Sequence, residues 1–167
     1  MSRSLVKCLA VAGLAVAAAS PAAAQASAAS INASVTVLEV LNVTGVRDLA
    51  FGQIQRGGTR TIDALADVAA AGVFSVTASA PVTVAWTLPV QTAAAVPVTF
   101  GNWTFAEAND AAGTGATTFT LTGVNSTHNL TTAVTQRFLF VGGQATVPAN
   151  ATLGLQSAVI QVNVAYN

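Results

Sequence analysis

Charge is scarce in this chain: Asp, Glu, Lys and Arg together make up 7% of its 167 residues. There is one cysteine, Cys8, one histidine, His128, and one lysine, Lys7. Beyond residue 24 the charged set is Arg47, Arg56, Arg60 and Arg137 against Glu39, Asp48, Asp63, Asp67, Glu107 and Asp110, a net of −2. Nucleic-acid binding needs clustered positive charge, so that class of partner is excluded. A general base needs a positioned partner, and His128 sits in the polar run Asn125-Ser-Thr-His-Asn-Leu130 with no acid or nucleophile patterned around it. Zinc needs three or four ligands, and the Asp63/Asp67 pair lacks the dense oxygen pattern of a calcium loop. Neither Gly57-Gly58 nor Gly142-Gly143 leads into a helix carrying Lys and Ser or Thr, so no phosphate loop is expected. The expectation is a protein that is not an enzyme, with no catalytic residue, metal or cofactor.

Long apolar runs are missing too, except at the start. Arg3 and Lys7 precede the apolar stretch Cys8 to Ala19, and Ser20-Pro-Ala-Ala-Ala24 supplies small residues ahead of a cut. This pattern predicts a secretory signal peptide over residues 1–24, with cleavage after Ala24 or Ala26, and a protein in the periplasm, at the cell surface or outside the cell. The stretch is too short to span a bilayer and no later one is long enough, so no membrane span is expected. A membrane barrel would want about ten residues per strand and aromatic girdles, whereas the aromatic residues here fall mid-run. With Cys8 in the signal, no disulfide holds the remainder, which must rely on packing and backbone ladders. Residues 25–32 read as an N-terminal arm and 33–167 as one domain, long enough for a real core.

What is abundant is β-branched. Thr occurs 21 times after residue 24, and Val alternates with it in short runs bounded by turn residues. Runs are expected at Ala33–Val37, Leu49–Ile54, Thr59–Ile62, Gly72–Thr77, Val82–Leu88, Val98–Phe105, Thr118–Thr122, Arg137–Val141 and Ala145–Val147. Hairpin breaks are expected at Gly57-Gly58 and Gly142-Gly143, and a bulge at Gly101-Asn102. Asp63–Gly72 reads as one turn of helix, and Ala106–Ala116 and Gly123–Val134 read as surface loops. Short, regularly spaced strands of this kind predict an all-β antiparallel sandwich. The expected core is Val35, Val37, Phe51, Phe74, Val76, Val84, Trp86, Phe100, Phe119, Leu121, Phe138, Phe140, Ile160, Val162 and Val164.

The final run, Ser157-Ala-Val-Ile-Gln-Val-Asn-Val-Ala-Tyr-Asn167, puts Ile160, Val162, Val164 and Tyr166 on one side and Gln161, Asn163 and Ala165 on the other. Most domains end in loose polar residues; here a core strand is expected to run to the last residue. Such a strand either completes a closed sandwich or waits for another strand to pair beside it.

Arg47-Asp-Leu-Ala-Phe-Gly52, Arg137-Phe-Leu-Phe-Val-Gly-Gly143 and the closing Val162-Asn-Val-Ala-Tyr166 occur in an order and spacing that resembles the domain of unknown function 4402 family, secreted bacterial proteins similar to pilins. The chain departs from that pattern at Gly154-Leu-Gln-Ser-Ala158, where a Gly-x-Tyr-x-Gly-like turn is expected. The penultimate aromatic Tyr166 is also similar to the ends of chaperone–usher pilin subunits. The resemblance implies an immunoglobulin-like, pilin-like sandwich lacking a strand, filled by a neighbour's N-terminal extension through strand addition. Ile31, Ala33, Val35 and Val37, on one face just after the signal, would be the donor. Ile160, Val162, Val164 and Tyr166 would line the acceptor. The implied partners are copies of the chain or a periplasmic chaperone. The alternative is a self-complete secreted binding module or adhesin using the Ala106–Ala116 and Gly123–Val134 loops.

Overall fold

The Val- and Thr-rich alternations become β-strands in a computed structural model, which describes residues 32, 34, 35, 40–89 and 98–167. Residues 1–36 and 37–167 form separate units. The second carries β1 (Leu41–Arg47), β2 (Thr59–Ile62), β3 (Gly72–Ala78), β4 (Val82–Thr87), β5 (Thr99–Ala108), β6 (Thr117–Phe119), β7 (Asn125–Leu130), β8 (Val134–Thr146) and β9 (Gln161–Tyr166). No helix occurs among the described residues, and none there is long and apolar enough to cross a membrane. The larger sheet runs β1-β3-β8-β5-β6, with β2 also on β8, and the smaller runs β7-β4-β9. All pairings are antiparallel. The protein is an all-β antiparallel sandwich.

Its centre is the β4 face that carries Val82, Val84 and Trp86, all fully buried with Val76, Leu139 and Val141 of the facing sheet. Trp86 meets Phe74 edge-on at 5.7 Å and Phe105 at 5.1 Å, contacts worth about 0.5–1.5 kcal/mol each beyond burial. Its indole N–H is buried without a partner among the described residues, at a cost of roughly 1–3 kcal/mol.

A second core lies on the outer face of the larger sheet. Phe138 and Phe140 of β8 point there, with Ile62, Ala71, Val73 and Ala106, under the segment 63–71. That segment is a series of turns in place of the expected helical turn, although Asp67 N–H still bonds Asp63 C=O at 3.1 Å. Asp63 Oδ1 accepts from the N–H groups of Leu65 and Ala66 at 2.8 and 2.9 Å, and Asp67 Oδ2 from that of Asp63 at 2.9 Å. Both carboxylates therefore fold their own backbone. Arg47 ties the segment down through Nε to Ala71 C=O at 3.0 Å and through Nη2 to Val68 C=O. Leu49 and Phe51 pack on the same outer cluster, so Arg47–Gly52 is a strap and Leu49–Ile54 is not a strand.

Gly142-Gly143 is no hairpin. Both lie mid-strand in the 13-residue β8, because on each face of the strand a neighbour comes too close for a side chain. A Cβ on Gly142 would stand 2.3 Å from Ile62 O, and one on Gly143 2.7 Å from the Trp103 ring. Glycine within a strand often marks such close approach. The expected bulge is present: two β5 residues, Asn102 and Trp103, oppose Gly143 alone, with Asn102 at φ 48°.

Of the expected core, Val76, Val84, Trp86, Phe138 and Phe140 are buried, while Phe51, Phe74, Phe100, Phe119, Leu121, Ile160, Val162 and Val164 are half-buried. Val35 is 86% exposed and in no strand; alternation makes a buried face only where the backbone is extended and paired. Ile31, Ala33 and Val37 lie outside the described residues.

Candidate functional site: the edge of β9

β9 lies antiparallel on β4, with Val82 opposite Tyr166, Val84 opposite Val164 and Trp86 opposite Val162. Directly opposed residues share a face, so these six side chains all point toward the core. Their burial differs. The β4 members are 0–1% exposed, while Val162, Val164 and Tyr166 are each only half-buried at the margin of the same cluster.

The ladder also shows where the β9 backbone points. Asn167 N–H bonds Pro81 C=O at 3.3 Å and Leu88 N–H bonds Val124 C=O at 2.8 Å. In an antiparallel pair, hydrogen-bonded positions alternate along the strand. Counted from these two bonds, Val82, Val84 and Trp86 bond β7, while Thr83, Ala85 and Thr87 bond Ala165, Asn163 and Gln161. The N–H and C=O groups of Val162, Val164 and Tyr166 therefore face away from β4. Among the described residues no strand pairs that edge. One strand thus combines incompletely buried apolar side chains with backbone groups directed outward.

Both ends of this edge are defined. Near β1, the Tyr166 hydroxyl donates to Val40 C=O and lies 3.0 Å from Ser79 Oγ. Ser79 Oγ in turn accepts from Val40 N–H at 3.1 Å, so the first and last strands are laced together at that corner. At the other end the expected strand from Ser157 is not formed, and β9 begins at Gln161. The next hydrogen-bonded pair would need an N–H from Pro89, which has none. Residues 152–159 are consequently exposed, with Leu155 at 94%.

Of the residues expected to line an acceptor, Val162, Val164 and Tyr166 share one strand face, with Ile160 one residue ahead of the strand and packed on the same cluster. His128, by contrast, is not in a loop. The expected loop Gly123–Val134 contains β7, and His128 Nε2 is 3.0 Å from Glu107 Oε2 while its ring stacks on Phe119 at 3.8 Å. The pair joins the two sheets. Its signal in the sequence is faint, since Glu107 and His128 are 21 positions apart. No group of three metal-ligating side chains occurs among the described residues.

No family model, curated protein or solved structure matches the chain.

Proposed function

We propose that the protein is a structural subunit of an extracellular assembly, such as a surface filament, in which copies join by strand addition along β9. What supports this reading is the contrast between β4 and β9: side chains directly opposite each other on one face are fully buried on the first and half-buried on the second. A strand laid along β9 would satisfy the outward N–H and C=O groups of Val162, Val164 and Tyr166 and cover their side chains, which is how strand addition combines backbone affinity with side-chain specificity. The donor is the alternation Ile31, Ala33, Val35 and Val37 of a second copy, or a chaperone strand before assembly. A surface this poor in charge is weakly repelled by its copies.

The test compares the chain beginning at Gln25 with one beginning at Leu38. The longer form is expected to make concentration-dependent oligomers, and the shorter to stay monomeric with a lower Tm. A synthetic peptide of residues 25–37 should restore that Tm, and Val164→Asp should abolish the rescue. Two monomers of equal stability, indifferent to the peptide, would sink the reading.

A further inference from the structure

At the far edge of the larger sheet from β1, β5 and β6 pair only from Phe105–Phe119 to Glu107–Thr117. Past Phe119 the chain leaves β5, and the two segments part around a cleft of about 200 Å³. The parting begins where the β5 bulge sets Trp103 beside Gly143, held by Asn102 Nδ2 donating to Gln144 Oε1 at 2.8 Å. The cleft has two chemistries. Trp103, Phe105, Phe119 and Leu121 are its apolar lining residues, and Asp63, Thr104, Thr118 and Thr120 its polar ones. Asp63 is held in one orientation, because its Oδ1 caps two backbone N–H groups. Its Oδ2 accepts from no described residue. No arginine or lysine lines the cleft, so nothing there selects an anion.

We propose that this cleft binds a pyranose ring of a neutral glycan. A sugar ring presents C–H groups on one face and hydroxyls around its rim. The first pack against an indole by apolar contact. The second need fixed acceptors and adaptable hydroxyls, which Asp63, Thr118 and Thr120 supply. Small-molecule sites share this plan of apolar walls with a few placed polar groups. The site is separate from β9 and does not depend on the pairing proposed there. It would give each subunit a contact for a surface or matrix polysaccharide.

The experiment titrates the chain from Gln25 onward with cellotetraose, chitotetraose and mannotetraose, following tryptophan fluorescence and calorimetry. Saturable binding of at least one is expected, with Kd in the high micromolar to millimolar range typical of few contacts, about −4 to −6 kcal/mol. Trp103→Ala should weaken it at least tenfold. Because that change also removes packing beside Gly143, the double variant Thr118→Val with Thr120→Val serves as a second probe that keeps side-chain shape; it should weaken binding about three- to tenfold with Tm unchanged. No binding of any of the three up to 10 mM, on the order of −3 kcal/mol, overturns the proposal. So does binding that survives both sets of substitutions.

Discussion

β7 and β9 flank the same strand, each six residues long, and they finish the smaller sheet in opposite ways. β7 directs Ser126, His128 and Leu130 inward. Leu130 is buried, His128 is bonded to Glu107 and stacked on Phe119, and Ser126 Oγ donates to Thr122 C=O and Gly123 C=O. Its outward residues, Asn125, Thr127 and Asn129, are polar, as suits an edge that meets water. β9 directs Val162, Val164 and Tyr166 inward, and its own chain buries them only in part. A polar edge strand is complete with modest help from the opposite sheet. The apolar β9 leaves Val162, Val164 and Tyr166 half-buried, which is the contrast the proposed strand addition rests on.

Substitutions can break or sharpen this contrast. The largest effect is expected at the shared strand: Trp86→Ala should cost about 3–5 kcal/mol in urea unfolding and disable both edges, whereas Trp86→Phe should cost much less because the lost N–H is unpartnered. Next comes the pair across the ladder. Val84→Ala should cost roughly 2 kcal/mol and Val164→Ala about half as much in the monomer, with only the second weakening oligomers in sedimentation. Equal costs would mean that β9 is as closed as β4.

On the β7 side, His128→Ala should cost about 1–2 kcal/mol from the lost pair and ring stack, leaving oligomer formation intact. Tyr166→Phe should cost about 1 kcal/mol through its bonds to Val40 and Ser79 and increase amide exchange at Val40 and Ser79. The smallest effect lies outside both edges. The Thr114 side chain, then the N–H groups of Thr114, Ala112 and Gly113, hold the Asp110 carboxyl below the ordinary aspartate range. A lowered native pKa stabilises above the unfolded value, and this contribution disappears as pH falls through the native one. Exchange protection at Ala112 and Thr114 should therefore drop in strong acid, and Asp110→Asn should lower it already at neutral pH without affecting β7 or β9.

The strands most legible in the sequence are those whose alternation is local and bounded by proline. Val82, Val84 and Trp86 between Pro81 and Pro89 became β4, and the Gly101-Asn102 break became a bulge. Errors arose where distant segments meet. Gly142-Gly143 reads as a turn because a close approach of Ile62 and Trp103 leaves the same residue type as a hairpin does. Leu139 and Val141 were not expected in the core, since β8 is buried on both faces only once the segment 63–71 lies over it. β7 is not legible in the sequence because an edge strand lined with Asn and Thr looks like a loop until β4 pairs with it. Of the acceptor face, Val162, Val164 and Tyr166 were readable from their spacing; the outward direction of their backbone groups was not.

Sequence alone determined that this chain is all-β and that most of its strands carry one apolar side. Those are local properties: successive side chains on a strand point to opposite faces whatever lies beside them. Tertiary structure decided which apolar faces are covered, which glycines are mid-strand, that His128 meets Glu107, and that β9 pairs on one side only among the described residues. Pairing and burial depend on which strand comes to lie alongside, and that partner is far away in the chain.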